Sequence, residues 1–373
     1  MSLTEREREI VDLLRRDPRI SPAEIAQRLG STRAAVNVHL SNLTHKGAIL
    51  GRGYILSEQP PVVVIGGANL DIKARSLSAA VPGTSNPGVS TTTPGGVARN
   101  VAENLARLGT PTHLIAAFGD DANGALLIED ARAAGIRLEH IHRSTHPTGT
   151  YTAILDADGE LVLAVADMTA TDRLSPEHLA PARDLITHAA LLILDGNLSA
   201  DTAAHVLDLA HDAGVRAILD PVSVPKAARI GDLLAPYRPL YAVTPNRDEL
   251  RTLTGQDVDT DEGLHAAAET LHRRGVRHVW VRLGAQGSIL STDGAAPQAI
   301  PVQRRAATDV TGAGDAMLAA FAHALLAGHD PHDAARYGHA AAALTIESSR
   351  TVRPDLTARL LEQQLVAPAK GEQ

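Results

Sequence analysis

Cysteine is absent from all 373 residues. That excludes disulfides, thiol nucleophiles and cysteine-ligated metal sites. Lysine is nearly as scarce, with four in the chain, and no G-x-x-x-x-G-K-[ST] sequence occurs. A P-loop cradle for phosphate is therefore excluded. Phosphate charge would have to be met by helix N-termini, arginine or a metal ion. Aromatics are also few, with two Phe, one Trp and five Tyr, so little is available to stack on a planar ring. No apolar run is long enough to span a bilayer and there is no secretory apolar region, so a soluble cytoplasmic protein is expected.

Charge is unevenly spread. Residues 1–56 carry nine Lys/Arg against six Asp/Glu, a net of +3, and the remainder carries 26 against 37, a net of −11. Nucleic acid is a partner for the first segment only. Three helices are expected there. Thr4 and Glu7 form a capping box for the first, with Ile10, Leu13 and Leu14 at helical spacing. Ser21, Pro22 and Glu24 open the second. Ser31 caps the third, in which Val36, Leu40 and Leu43 face inward while Arg33, Asn37 and Ser41 form the opposite stripe. Two short strands around Gly51 and Gly53 would complete a winged helix-turn-helix over residues 1–56, with Arg52 at the wing tip. A small protein-interaction domain is the alternative. Double-stranded DNA is the expected partner, with Thr32, Arg33, Asn37, Ser41 and Arg52 as contact residues.

Residues 57–61 read as a linker and 62–365 as a second domain. Buried strands such as VVVIGG, THLIAAFG, AALLILDG, RAILDPV, LYAVTPN and HVWVRLG alternate with helical patterns. This predicts an α/β fold, a parallel sheet covered on both faces, with ligands at the carboxyl ends of the strands. One stretch breaks the rule. TGTYTAILDADGELVLAVAD reads as a hairpin, with DIKARS and GVSTTT as partners. A small β lid over about 71–93 and 148–168 is expected, and with it a lid or a dimer surface. The tail APAKGEQ reads as disordered.

TDVTGAGDAM (308–317) places Gly312, Ala313 and Gly314 ahead of Asp315 and an apolar helix. A glycine turn entering a helix is an anion site, in which a carboxylate is out of place unless it takes a proton from a group attacking that anion. A tight turn with a cap is the bland alternative. Asn69, Asp71, Gly95, Gly96 and Asn100 could hold sugar hydroxyls. Asn246 and Glu249, one turn apart at a helix start, could orient water on Mg²⁺ or merely cap. Gly284 and Gly287 could border adenine or merely turn a hairpin. His140, His142 and His146 lack ligand spacing and read as a solvated loop. Lys226 could reach a phosphate or be structural.

Taken in order, PGGVARN, PNRDE and VTGAGDAM resemble the signatures of the ribokinase-like (PfkB) sugar and nucleoside kinases over about residues 61–360. The resemblance implies a three-layer α/β/α body with a β lid. It makes Asp315 the general base, with the backbone of Gly312, Ala313 and Gly314 as anion hole. Asn246, Glu249, Arg282, Gly284, Gly287 and Thr311 fall to ATP and Mg²⁺, with Glu249 acting on Mg²⁺ through water. Asp309 and Thr311 fall to a monovalent cation, K⁺. SNPG, AVADM, ILDGN and DPVSVPK resemble the members that phosphorylate the 5′-hydroxyl of pseudouridine. Val97 stands where ribokinases typically carry a lysine. Thr150, Tyr151, Asp167 and Asn197 are the candidates for base contacts, and a homodimer through the lid is implied. A kinase of another nucleoside or sugar, and a nucleoside-sensing transcriptional regulator, remain as alternatives.

Overall fold

The structure is a computed structural model that describes residues 3–18, 20–50, 60–302 and 309–366. Its first helices are α1 (Glu5–Arg16), α2 (Pro22–Arg28) and α3 (Arg33–His45). Both expected capping boxes form, Thr4 with Glu7 and Ser21 with Glu24. The third cap differs from expectation. Thr32, not Ser31, accepts from the Ala35 N–H, because three residues separate a cap from the N–H it satisfies. Ile10, Leu14, Ile25, Val36, Leu40 and Leu43 form the core of this unit, and buried Glu7 pairs with Lys46 at 2.9 Å. The expected wing and Arg52 lie outside the described residues, as does the tail from 367.

The main sheet contains β1 (Val62–Ile65), β4 (Thr112–Ile115), β9 (Leu191–Asp195), β10 (Ala217–Asp220), β11 (Leu240–Val243), β12 (Val276–Arg282), β13 (Ser288–Thr292) and β14 (Gln298–Ile300). Their order is β14-β13-β12-β11-β10-β9-β1-β4. Both faces are covered. In fully buried β1, Val63 and Ile65 join one core cluster while Val62 and Val64 join the other, as a period of two requires. The sheet is not all parallel. β12–β13 and β13–β14 run antiparallel, since the short turn at 284–287 allows only a hairpin and a parallel return needs a crossover. THLIAAFG is also split, into β4 and β5 (Ala117–Gly119). β5 pairs with β6 (His142–Ser144), so the histidine segment is partly strand rather than loop.

A second sheet has the order β3-β2-β7-β8, from β2 (Asn69–Ser76), β3 (Gly88–Gly95), β7 (Gly149–Leu155) and β8 (Leu161–Asp167). Alternation in the paired register puts Asn69, Asp71 and Lys73 on one face with Tyr151 and Ala166. Ile72, Ile154, Leu163 and Val165 occupy the other face.

Candidate active site

The parallel strands end around one cleft. Asp195 closes β9 and is fully enclosed. Its carboxylate accepts from the N–H groups of Gly67, Ala98 and Asn197 at 3.0, 2.9 and 2.9 Å. Ala98 lies in the first turn of the Val97–Arg107 helix, so Asp195 ties β1, β9 and that helix start together. Burial pushes its carboxyl up. One turn into the helix, buried Asn100 donates from Nδ2 to Asp315 Oδ2 at 2.8 Å.

Asp315 is the third residue of the Ala313–Leu326 helix, whose N-cap Gly312 has φ 79°. No side chain caps this end; the Ala313 N–H donates to the Val310 carbonyl at 3.3 Å, and the helix dipole directs its positive end to this turn. Burial takes the Asp315 carboxyl up to about 7. Asn100 and Arg282 oppose that rise, while Asp220 and Asp195 add to it. Arg282, at the end of β12, pairs with Asp220 at 3.1 Å and with Glu249 at 3.5 Å. A Cβ on Gly314 would lie 2.6 Å from its Nη1, so a larger residue there would push the guanidinium away from the helix start.

At the start of β2, Asn69 Nδ2 donates to Asp71 Oδ1 at 2.7 Å, and burial raises the Asp71 carboxyl. A Cβ on Gly95 would lie 2.3 Å from Asp71 Oδ2. The paired glycines thus make room for this carboxylate and for the turn at Gly96, where φ is 97°. Asn197 is buried between Gly67 and Lys226, whose ammonium donates to its Oδ1. Lys226 is therefore engaged with Asn197. Thr150 and Asp167 pair with each other on the lid face opposite Asp71. Asp167 there caps Thr169 through its N–H and hydroxyl. Of the expected lid contacts, only Tyr151 shares Asp71's face.

A cleft of about 720 Å³ opens on the other side of Asp315. Asn246, Glu249, Arg282, Gly284, Gly287, Ala313 and Gly314 line it together with Val222, Met317, Ala342 and Ile346. Its walls are chiefly apolar, and burial takes the lining His339 down to about 4, so it is neutral at pH 7. Asn246 and Glu249 form a reciprocal capping box at 2.9 and 2.8 Å. Glu249 and Asp220 are answered by Arg282 rather than held open as metal ligands. A Mg²⁺ here would come in with nucleotide phosphates that supply most of its ligands. Asp309 accepts the Thr311 N–H and hydroxyl at 2.8 and 2.6 Å on Oδ1, and Lys73 Nζ at 3.3 Å on Oδ2. Both oxygens are engaged within the chain, which does not fit the K⁺ expected there. Among the described residues the only three-ligand group is Asp330, His332 and Asp333, at the N-terminus of the 331–345 helix whose far end borders the cleft. His140, His142 and His146 form none.

Asp195 and Asp220 are legible in the sequence as carboxylates at strand ends, where ligands collect, though without a role for either, whereas nothing in the sequence marks Lys73 or Val222 as parts of the site. Val222 was not legible, since its φ of 70° is a strained value for a β-branched residue. It is held there as its N–H donates to Asp220 at 2.8 Å.

Known proteins match this arrangement. The pfkB family carbohydrate kinase model matches residues 59–358, and a winged helix-turn-helix DNA-binding model matches residues 3–49. An Escherichia coli (strain K12) protein named as the uncharacterized sugar kinase YeiI is 35% identical, over 95% of this chain and 97% of that one. The pseudouridine kinase of the same organism is 31% identical, over 81% and 95%. Arabidopsis thaliana ribokinase complexed with ribose and ATP superposes with a TM-score of 0.73 at 27% identity, covering 83% of this chain and 99% of that one.

Proposed function

The chain belongs to the pfkB family of carbohydrate kinases, and from that premise we propose that it transfers the γ-phosphoryl group of ATP to the 5′-hydroxyl of pseudouridine. That it is a sugar or nucleoside kinase, a phosphotransferase with an alcohol acceptor, follows from the family. The observation that carries the reading is the Asn100–Asp315 contact. It sets a carboxylate between an acceptor pocket (Asn69, Asp71, Gly95, Gly96) and an uncapped helix N-terminus facing the nucleotide cleft.

The chemistry follows from these positions. Asp71 and Asn69 take sugar hydroxyls, since a carboxylate accepts two such protons. Asp315 accepts the proton of the attacking hydroxyl. The N–H groups of the turn at Gly312, Ala313 and Gly314, with the Arg282 charge behind them, receive charge that develops on the transferring group. Mg²⁺ accompanies ATP and neutralises its phosphates. Asn197 and Lys226 offer an amide and an ammonium to the carbonyl oxygens of a pyrimidinedione. Val97, in place of a lysine, weighs against free ribose. The 31% identity to a pseudouridine kinase supports the same choice.

Two partners belong to this reading. α3 exposes Arg33, Asn37 and Ser41 along one stripe, fit for a major groove. The lid face turned away from Asp71 exposes Leu163 and Val165 at 58% each, an apolar face that a second copy of the chain would cover. The test is ADP release with Mg-ATP across pseudouridine, uridine, cytidine, adenosine and ribose, with Asp315→Asn as control. Turnover confined to pseudouridine and lost in the variant is the expected result. Turnover on ribose or uridine instead would overturn the substrate. Tight nucleoside binding without turnover would favour a sensor of nucleosides.

A further inference from the structure

Strand β2 carries two functional side chains on one face. Asp71 serves the acceptor pocket. Lys73, two residues on, starts about 7 Å further along the strand. From there its ammonium reaches Asp309 Oδ2 at 3.3 Å. Asp309 is already fixed from its other oxygen by the N–H and hydroxyl of Thr311. Burial raises the Asp309 carboxyl, but the Thr311 bonds and the Lys73 charge outweigh it and hold the group below its usual value. The segment so fixed leads directly into Gly312, the N-cap of the helix that bears Asp315.

We propose that Lys73 stands in for the monovalent cation at Asp309, its tethered ammonium shaping the 309–312 turn that presents the helix N–H groups to the transferring phosphoryl group. The idea rests on the kinase reading above. An ammonium matches K⁺ in charge and roughly in size, and a four-carbon stem delivers it from the lid without a diffusible ion. The side chains are 39% and 33% exposed, so solvent screens the pair and its share of global stability is small, enough to read as a shift of about a degree or two in Tm. Its effect is local, and Lys73 is a positioning residue. Because Lys73 and Asp71 share a strand, the turn takes its shape when the lid is over the acceptor.

The experiment uses the full chain with Lys73→Met, and with Lys73→Gln to guard against a folding defect of the first variant. ADP formation and thermal melting are each measured in potassium chloride and in tetramethylammonium chloride at equal ionic strength. The wild type is expected to have the same kcat and the same Tm in both salts. The variants are expected to lose about tenfold of kcat without K⁺, less than the roughly 10²–10³-fold cost of removing an anion-hole donor outright, because the turn is loosened rather than deleted. They should regain activity when K⁺ is supplied, with a K⁺-dependent rise in Tm and little change in acceptor KM. A wild type that needs K⁺ as strongly as the variants, or variants indifferent to K⁺ in both readouts, overturns the proposal. If no acceptor yields ADP in any salt, the kinase reading fails, and the melting comparison still decides the role of Lys73.

Discussion

The Asn100 amide donates to Asp315 across 215 positions of sequence, at 2.8 Å. It joins the helix that follows the paired glycines to the helix that follows the GAG turn. In the proposed reaction, an acceptor settled between Asp71 and Asn100 would have its hydroxyl beside Asp315.

Replacing Asp315 by Asn should lower kcat by about 10²–10⁴-fold, the usual contribution of a general base. KM for the acceptor should move little, because the amide keeps the shape and can still bond Asn100. Steady-state kinetics at saturating Mg-ATP decide this. A kcat within a few-fold of wild type would remove Asp315 from proton transfer.

With a carboxyl at about 7, activity should rise with pH between roughly 6 and 8 and then level, since only the ionised form is a base. Stability should move the other way. The folded value lies above the ordinary aspartate value of 3.8, so the folded chain holds more protons between the two. Stability then falls as pH rises through that window. Asp315→Asn removes the penalty, so its Tm should exceed the wild type's at pH 8 and converge with it at pH 4. Parallel melting curves at both pH values check this.

Arg282 faces two buried carboxylates, Asp220 and Glu249. Arg282→Met leaves them unanswered and should destabilise by about 3–5 kcal/mol, as for other broken buried pairs. Denaturant unfolding measures it. Arg282→Lys should recover only part, for want of a fork that reaches both oxygens.

Gly95→Ala places a methyl 2.3 Å from Asp71 Oδ2 and so displaces the carboxylate. Acceptor KM should rise while KM for ATP holds, because the nucleotide cleft lies on the other side of Asp315. Equal rises in both constants would contradict the division of the site.

Arg33→Ala should weaken DNA binding and reduce the salt slope by about one, as expected for one lost phosphate contact. Arg33 is exposed and outside the core of its unit, so melting should be unaffected. Titration of DNA at several salt concentrations reads both quantities.

Much of this site was written locally. The capping boxes, the buried strands and the GAG turn before Asp315 are short-range patterns, and each found its place. The features that escaped depend on distant partners. Nothing near Lys73 announces Asp309, 236 positions away. Asp309 and Thr311 look like cation ligands until a lysine from another sheet is seen at the carboxylate. Thr150 and Asp167 fall on the lid face opposite Asp71, which the sequence could not show, because a one-residue step in a strand reverses the face and register is fixed only by pairing with β2. Ser31 and Thr32 are both good caps, and the choice between them turns on where the first helical turn closes. The antiparallel edge was legible only as one reading of the Gly284–Gly287 turn, a hairpin, which sits against the parallel order expected of the rest of the sheet.

The bare apolar side of the lid has a geometric corollary. Two copies joined through the same patch are related by a dyad, so their recognition helices would meet DNA in opposite orientations. The sequence read by such a pair is an inverted repeat, and its half-site spacing would register how the two lids are clasped. Footprints on operators of varied spacing would expose that link, and a footprint on a single half-site would deny it.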